Sequence, residues 1–277
     1  MAGRVIIIGA GLAGLTAAHA AQREGAAVLV VDRGPIGLGT NSALANGVMS
    51  GPAERHRAEE YIRDTLHAGG GLNCPARVRL MAREAPSGMQ LLRSIGVPIK
   101  ERGAQRTVVS PEASVIPGVT LMRTLAEHVR GLDGVRTLPG FCVTQLLCLD
   151  GRACGVRGVT REGEQLEIEA PAVILATGGA GAVWRRHDNQ KRIMGQGYAL
   201  AAQAGLELLD MEFVQFYPLV LADPGLPALI VYPPFSREAT LTDASGADIL
   251  AKHGLDDVND AIVKKRDLFS ALLFEEA

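Results

Sequence analysis

Three glycines and an aspartate near the N-terminus have the residue types and spacing to bind a dinucleotide. Gly9, Gly11 and Gly14 follow an apolar run at 5–8 and open an alanine-rich segment. The first glycine allows a tight turn, the second lets the backbone approach a pyrophosphate at a helix N-terminus, and the third lets that helix pack closely on the strand. Asp32 ends the next apolar run, where a carboxylate accepts hydrogen bonds from the adenosine ribose. The pattern predicts a dinucleotide-binding βαβ unit, whereas a glycine turn alone would be only conformational.

A second glycine-rich turn and a polar loop have the composition to contact the same ligand. Thr177 and Gly178 follow an apolar run at 172–175. In an open parallel sheet, ligands bind at the carboxyl ends of the strands, so we expect the two glycine turns to lie together. The segment 37–51 is rich in small and hydroxylated residues, which suits close contact with a dinucleotide, although a flexible linker has a similar composition.

The composition argues against several classes of function. The chain has 277 residues and a formal net charge of −2, which disfavours a general attraction to nucleic acid or anionic lipid. The apolar run at 5–8 has only the length of a strand, and no segment reaches the ~20 apolar residues of a spanning helix, so we expect a cytoplasmic protein without direct membrane insertion. The four cysteines form no CxxC pair and do not cluster with histidines, so we interpret them as reduced structural thiols and predict no metal site.

The rest of the sequence alternates helical and strand-like patterns. Helical spacing of apolar residues occurs over about 54–66, 76–92, 119–129 and 195–205. Short β-like runs over 135–168 predict a small antiparallel meander, and the run at 172–175 is expected to return to the parallel sheet. Five prolines between 218 and 234 mark a change of composition, from which we place a domain boundary near residue 212.

Four sequence blocks carry a resemblance to a known enzyme family. They are residues 9–14, 64–72, 175–181 and 205–216, and the last contains Asp-Met-Glu-Phe-Val-Gln-Phe, which is not a generic fold signal. The chain resembles the flavoprotein subunits of succinate dehydrogenase and fumarate reductase, together with L-aspartate oxidase and related FAD-dependent enzymes, almost to its last residue. The resemblance implies an α/β fold with two domains. A Rossmann-like FAD-binding domain with a small antiparallel β-meander covers 1–212, and a partial α+β capping or substrate domain covers 213–277.

The resemblance also implies FAD as the cofactor. The adenosine and pyrophosphate are expected against the first βαβ unit, with Val143 contacting the adenine through its backbone. In the respiratory members a histidine is tethered covalently to the flavin, and Asn41 stands in its place here, which implies noncovalent FAD. The implied cofactor-binding residues are Gly9, Ala10, Gly11, Leu12, Ala13, Gly14, Asp32, Arg33, Thr40, Asn41, Ser42, Ala45, Asn46, Gly47, Val143, Ala176, Thr177, Gly178 and Gln196.

Departures from the family pattern fall on residues that handle a dicarboxylate. The family follows Gln-Phe with a histidine, whereas this chain has Tyr217, which donates a hydrogen bond but carries no positive charge at neutral pH. Phe235 stands at the place of a proton-transferring arginine, and Arg237, two positions later, can substitute only through a rearranged loop. Gln196 replaces an aspartate near the flavin. We therefore name Tyr217 and Arg237 as catalytic candidates and expect a substrate other than succinate, fumarate or aspartate.

Three functions are consistent with these patterns. The first is an FAD-dependent oxidoreductase, or its flavin-binding subunit, that transfers hydride between a small organic substrate and FAD. The second is a noncatalytic FAD-binding module, either degenerate or one half of a split flavoprotein, because the chain stops where the family continues. A second subunit would then supply the C-terminal segment or accept electrons. The third is an NAD-dependent dehydrogenase built on the single Rossmann unit.

Overall fold

The chain divides into two compact units. The computed structural model describes residues 3–53, 56–102, 105–221, 223, 225, 229–231, 233–236 and 238–276. The first unit comprises Met1–Val183 and Asn189–Glu207, and the second comprises Trp184–Asp188 and Leu208–Ala277. The main change of unit lies close to the predicted boundary at 212, and the roles of the two units as cofactor and capping domains stay predictions.

Strands and helices alternate through the first unit, and helices dominate the second. The strands are β1 (Arg4–Ile8), β2 (Ala27–Asp32), β3 (Val48–Met49), β4 (Ile99–Arg102), β5 (Gln105–Val108), β6 (Val135–Pro139), β7 (Cys142–Leu149), β8 (Arg152–Val159), β9 (Gln165–Glu169), β10 (Ala172–Leu175), β11 (Val220–Leu221) and β12 (Leu229–Ile230). The helices are α1 (Leu12–Arg23), α2 (Asn41–Leu44), α3 (Ala58–Ala68), α4 (Pro75–Ser94), α5 (Pro117–Arg130), α6 (Gln196–Gln203), α7 (Ile249–Lys252), α8 (Val258–Lys264) and α9 (Arg266–Glu276).

A parallel sheet with the strand order β10-β1-β2-β6 lies at the centre of the first unit. Ile7 of β1 packs in the cluster that includes α1 and α5, whereas its two isoleucine neighbours pack in the cluster that includes Phe141. Successive side chains of a strand point to opposite faces, so a strand covered on both faces requires such an uninterrupted apolar run. In the sheet register, Ile8 lies beside Val31 and Leu175. The carboxyl ends of β1, β2 and β10 therefore meet at one edge.

β7, β8 and β9 form an antiparallel meander, as predicted, but it starts later than predicted. The segment 135–139, which the sequence pattern assigns to the meander, is β6 and pairs in parallel with β2, with Val135 beside Val28. This part of the prediction is wrong because β6 is an edge strand, only partly buried along its length, and its pattern therefore resembles that of an antiparallel strand. The predicted return of 172–175 to the parallel sheet is confirmed, since β10 pairs with β1.

The longer helices occur where apolar spacing predicts them, with shifted ends. α3 begins at Ala58, and Oε2 of Glu60 accepts the backbone N–H of Arg57 at 2.8 Å, which is the contribution of the glutamate in a capping box. α4 and α5 begin at Pro75 and Pro117, before the predicted starts at 76 and 119, because proline suits a first helical position that needs no N–H donor. The helix predicted over 195–205 is the shorter α6.

The sequence patterns did not predict the shortest helices and strands. The segment 37–51, expected to be a loop, contains α2 and β3, and β3 joins β5 and β4 in a small antiparallel sheet. Elements of two to four residues leave too little periodicity to be read from a pattern. Because β3 and β5 pair, the polar loop is anchored at Val48 beside Thr107.

The second unit has a hydrophobic core of its own. Its centre is Leu250, Val258, Ala261, Ile262 and Phe269. The side chains of Asp248 and Asp257 accept backbone N–H bonds at the starts of α7 and α8, which is the usual role of an N-cap aspartate. In the part of the chain that the structure describes, no helix combines the length and the apolar character needed to cross a membrane.

Candidate functional site

A cavity of about 430 Å³ lies in the first unit, at the carboxyl ends of β1, β2 and β10. The first glycine turn, the end of β2 and the second glycine turn all face it, as predicted for an open parallel sheet. Its lining comes from residues 8–13, 31–34, 39–42, 141–143, 175–179 and parts of 192–201.

Two of the three motif glycines are required by the packing of the chain itself. Gly9 has φ +108°, and an added Cβ would lie 2.2 Å from the carbonyl oxygen of Ala176. A Cβ on Gly14 would lie 1.9 Å from the carbonyl oxygen of Gly9. Real Cβ atoms do not approach other heavy atoms so closely, so Gly9 permits the turn beside β10 and Gly14 permits the close packing of α1.

Gly11 differs from its two neighbours in the motif. Its φ is −76°, and the nearest atom to an added Cβ would be Oγ of Ser42, at an ordinary 3.4 Å. The chain therefore has room for a side chain here, and the glycine instead leaves open the approach to the N-terminus of α1. As the N-cap residue, Gly11 contributes no side-chain cap to this helix end. A helix N-terminus with accessible backbone is a favourable site for a pyrophosphate.

The Asp32 carboxylate is held in place by two backbone N–H groups. Its Oδ2 accepts a hydrogen bond from Ala10 at 2.8 Å, and its Oδ1 accepts one from Gly34 at 2.7 Å. Each carboxylate oxygen retains a further acceptor site, because an ionised carboxylate accepts about four hydrogen bonds in total. A partly buried carboxylate fixed at the end of β2 is suited to the hydroxyls of a ribose.

The second glycine turn packs directly on α6. The N–H of Ala176 extends the β1–β10 pairing to the carbonyl oxygen of Ile8 at 2.8 Å. A Cβ on Gly197 would lie 1.8 Å from Oγ1 of Thr177, so the first turn of α6 closes onto Thr177 only because residue 197 is glycine. This contact brings Gln196 to the cavity.

Asn41 connects the polar loop to the segment that precedes α6. Its Oδ1 accepts the backbone N–H of Gln190 at 2.8 Å, and its Nδ2 donates to the side chain of Asn189. Ser42 contributes on the other side, where its Oγ accepts the N–H of Leu12 at 3.1 Å. The loop is thereby fixed both to the N-terminus of α1 and to the segment that precedes α6.

The positive charge at the cavity comes from Arg33 and Arg192. Nη1 of Arg192 donates to the carbonyl oxygen of Arg33 at 3.3 Å. Burial lowers the pKa of the Arg33 guanidinium below its usual value and the like charge of Arg192 adds to this, while Cys142 and Asp32 act in the opposite direction.

Most of the cofactor-binding residues predicted from the sequence line this cavity. They are Gly9, Ala10, Gly11, Leu12, Ala13, Asp32, Arg33, Thr40, Asn41, Ser42, Val143, Ala176, Thr177, Gly178 and Gln196. Gly14, Ala45, Asn46 and Gly47 are not among the lining residues. The carbonyl oxygens of Ala45 and Gly47 instead accept hydrogen bonds from Gly118 and Val108, at 2.8 and 2.9 Å. Cofactor binding by all of these residues stays a prediction.

Other lining residues were missed. They are Ile8, Val31, Gly34, Gly39, Phe141, Cys142, Leu175, Gly179, Arg192, Ile193, Gly197, Tyr198, Leu200 and Ala201. Ile8, Val31 and Leu175 end strands of the parallel sheet, which is a signal that the sequence analysis could have used. Gly197 follows Gln196 in the Gly-Asp-Gly pattern of the family, from which only Gln196 was predicted, and the other missed residues at 192–201 belong to no motif.

Of the two catalytic candidates, Tyr217 belongs to the second unit, and Arg237 lies outside the described residues. The ring of Tyr217 packs against the hydrophobic core of this unit, with the guanidinium carbon of Arg266 5.4 Å from the ring centroid. Phe235 packs in the same cluster, and its N–H bonds Oδ1 of Asn259 at 2.6 Å. Among the described residues, no group of three or more histidine, cysteine or acidic side chains could hold a metal ion.

Comparison with known proteins identifies relatives of most of the chain. A sequence model of the family described as FAD binding domain matches residues 4–265. The chain is 35% identical to the L-aspartate oxidase of Streptomyces coelicolor over 237 residues, which is 80% of this chain and 41% of that protein. It is 29% identical to one subunit of the fumarate reductase (CoM/CoB) of Methanothermobacter marburgensis over 258 residues, which is 87% of this chain and 45% of that protein.

Solved structures have the same fold. A variant of E. coli quinol fumarate reductase matches with a TM-score of 0.82 and 26% identity, covering 100% of this chain and 50% of the other. Mycobacterium smegmatis Sdh1 in complex with UQ1 matches with a TM-score of 0.77 and 26% identity, covering 98% and 49%. The predicted α/β fold is thereby confirmed. The chain spans about half the length of the relatives it matches.

Proposed function

Because the chain belongs to the FAD binding domain family, we propose that it holds FAD in the cavity at the strand ends and is the flavin-binding part of an oxidoreductase. The observation that carries the proposal is the open backbone at Gly11, where the fold leaves room for a methyl group but the sequence supplies none. A bound pyrophosphate on the N-terminus of α1 accounts for that glycine. The proposal covers the adenosine diphosphate half of the cofactor, which this cavity suits best.

Each part of the cavity has a proposed role in holding that half. The N-terminus of α1 faces the pyrophosphate, and Asp32 orients the ribose through its fixed carboxylate. Val143 is proposed to contact the adenine, and Thr177 lines the cavity beside the first glycine turn. FAD supplies the chemistry when bound, because its ring system accepts or donates a hydride, while the protein supplies position and electrostatics.

The cofactor is proposed to be noncovalent. The resemblance places Asn41 where the respiratory members carry the tethering histidine. A carboxamide lacks the nucleophilic ring nitrogen that an imidazole offers. The side chain of Asn41 is also occupied by its hydrogen bonds to Asn189 and to the N–H of Gln190.

The substrate is proposed to be a small organic molecule other than succinate, fumarate or aspartate. The support is chemical: Tyr217 replaces a cationic carboxylate-binding histidine, and Phe235 replaces a proton-transferring arginine. Phe235 also packs within the core of the second unit, where its ring serves stability. Arg237 and Tyr217 stay catalytic candidates on sequence grounds.

The experiment that tests cofactor identity is the flavin spectrum of the purified chain before and after denaturation. We expect visible flavin absorbance that moves fully into the supernatant when the protein is precipitated, with chromatography identifying FAD. Recovery of NAD in place of flavin would support the dehydrogenase alternative. Colour retained in the precipitate would contradict the noncovalent proposal, and a chain that takes up no added FAD would overturn the proposed function.

A second experiment separates an oxidoreductase from a noncatalytic module. The flavin-loaded chain is mixed anaerobically with a panel of small hydroxy, amino and carboxylic acids, and loss of flavin absorbance is recorded. Bleaching by one class identifies the reductant, whereas no bleaching by any compound favours the noncatalytic alternative. Bleaching that appears only after a second subunit is added supports one half of a split flavoprotein.

A further inference from the structure

A second cavity, of about 330 Å³, adjoins the first within the same unit and contains three arginines. We name it the arginine pocket, and its lining residues are Arg33, Gly140, Cys142, Val159, Thr160, Arg161 and Arg192. Arg33, Cys142 and Arg192 line both cavities. The arginine pocket therefore lies beside the end of β2 that carries Asp32.

The three arginines come from segments that are far apart in the sequence. Arg33 follows β2, Arg161 lies in the turn between β8 and β9, and Arg192 precedes α6. Nη1 of Arg192 bonds the carbonyl oxygen of Arg33 at 3.3 Å. Arg161 packs at the junction between β6 and β7, because a Cβ added to Gly140 would lie 3.5 Å from the Cβ of Arg161. The tertiary fold thus gathers these side chains around one space.

The charge of the arginine pocket is not balanced by its own lining. No lining residue is acidic. Among the described residues, the arginines that form ion pairs with carboxylates are all outside the arginine pocket. Glu162 and Glu164 share the turn with Arg161 but do not line the pocket, and Arg161 and Arg192 are themselves exposed. Asp32, outside the lining, is the nearest acidic neighbour of Arg33, and its negative charge raises the pKa of that guanidinium against the lowering by burial and Arg192.

The polar atoms of the arginine pocket are suited to an oxyanion. A guanidinium presents planar N–H pairs that match phosphate geometry. Oγ1 of Thr160 accepts the N–H of Glu164 at 3.3 Å, which leaves its hydroxyl hydrogen able to donate. The like charges of Arg33 and Arg192 repel, and a bound anion relieves that repulsion.

We propose that the arginine pocket binds a phosphate-class oxyanion, either inorganic phosphate or the phosphate group of a monoester, through Arg33, Arg161 and Arg192. This anion is distinct from the cofactor pyrophosphate, which is assigned to the N-terminus of α1. The anion-binding site itself is defined by residues of this chain and does not depend on a bound cofactor. Only the statement that the anion lies beside the adenosine of FAD rests on the proposed function.

Arg161 is the residue at which to test the proposal. It lines the arginine pocket but not the larger cavity, so Arg161→Gln leaves the flavin-binding residues in place. Arg152→Gln is the matched control, because Arg152 is exposed at the other end of β8 and lines neither cavity. Both variants remove one positive charge from the meander.

The measurement is calorimetric titration of the flavin-loaded chain with inorganic phosphate at constant ionic strength. We expect Arg161→Gln to weaken phosphate binding about tenfold or more and Arg152→Gln to leave it unchanged. No binding to the parent chain, or equal affinities in parent and Arg161→Gln, would overturn the proposal. A parallel titration with AMP identifies the source: tighter binding than phosphate indicates a monoester, and equal binding indicates the free anion.

Failure of the proposed function would be visible separately. If the chain holds no flavin, the same titrations are made on the flavin-free protein. If phosphate then binds at the N-terminus of α1, its affinity will be unchanged in Arg161→Gln, and the inference is overturned. If phosphate affinity is lost in Arg161→Gln but not in Arg152→Gln, the inference is supported.

Discussion

The carbonyl oxygen of Gly9 occupies the space that a side chain at Gly14 would need, because a Cβ on Gly14 would lie 1.9 Å from that oxygen. The turn after β1 and the first turn of α1 are therefore packed backbone to backbone. This contact fixes the direction in which the N-terminus of α1 points into the cavity.

Gly14→Ala is expected to destabilise the first unit. The added methyl group forces α1 away from the turn, and overpacking of this kind costs about 1–3 kcal/mol of unfolding free energy. Gly88→Ala in α4 is the control, because no atom lies within 4 Å of the added Cβ. It should raise the unfolding free energy, since alanine is more stable than glycine in a helix interior by about 0.5–1 kcal/mol. Chemical denaturation of the flavin-free proteins measures both, and equal stability of Gly14→Ala and the parent would contradict the contact.

Gly11→Ala is expected to separate cofactor affinity from stability. The fold accommodates the methyl group, with its nearest contact at 3.4 Å, so unfolding free energy should change by no more than about 1 kcal/mol, the usual range for a helix N-cap. The same methyl group stands where the pyrophosphate must approach, so the dissociation constant for FAD should rise about tenfold or more. Fluorescence titration with FAD measures it, and an unchanged affinity would place the pyrophosphate elsewhere.

The glycine motif and Asp32 could be predicted because their geometry is local. A strand, a tight turn and a helix follow each other in sequence, and Asp32 needs only the next strand in parallel register to reach the N–H of Ala10. The residues of the arginine pocket had no such signal. Arg161 lines the same pocket as Arg33 because a meander turn packs beside the parallel sheet, and no sequence spacing encodes that arrangement.

Gly47 has a packing role that the resemblance did not indicate, beside its predicted contact with the cofactor. Its φ is +76°, and an added Cβ would lie 2.7 Å from Cβ of Pro117. Its backbone also bonds Val108 of β5, a strand that the sequence pattern did not indicate. Because that small sheet was not foreseen, a glycine that serves its packing could not be distinguished from one that serves a ligand.

Substitutions of Asp32 are expected to affect both stability and cofactor binding. Asp32→Ala leaves the N–H groups of Ala10 and Gly34 without their acceptors, and a buried unpaired donor costs about 1–3 kcal/mol. Asp32→Asn keeps one acceptor oxygen, so its loss should be smaller. Both variants should bind FAD more weakly than the parent because the ribose loses a carboxylate partner. Denaturation and FAD titration measure the two effects, and full stability of Asp32→Ala would contradict the observed hydrogen bonds.

Acidification is expected to weaken the contact between α1 and α5 through a histidine pair. Nε2 of His128 lies 3.0 Å from Nδ1 of His19, and the rings are 5.1 Å apart between centroids. Burial lowers the pKa of His19 below its ordinary 6.5, with further lowering by His128 and Arg23. The unfolded chain therefore takes up a proton at a higher pH than the folded one. Stability contributed by neutral His19 is complete above pH 6.5 and falls as the pH drops through 6.5 toward the lower folded pKa.

The measurement is unfolding free energy against pH for the parent, His19→Gln and His67→Gln. His19→Gln removes the titrating group from the pair, so its stability should fall less on acidification than that of the parent. His67→Gln should follow the parent, because His67 is exposed on α3. Identical pH profiles for the parent and His19→Gln would show that protonation of His19 is not coupled to folding. A reduced slope in His19→Gln alone would connect the acid sensitivity of the chain to the helix whose N-terminus faces the cavity.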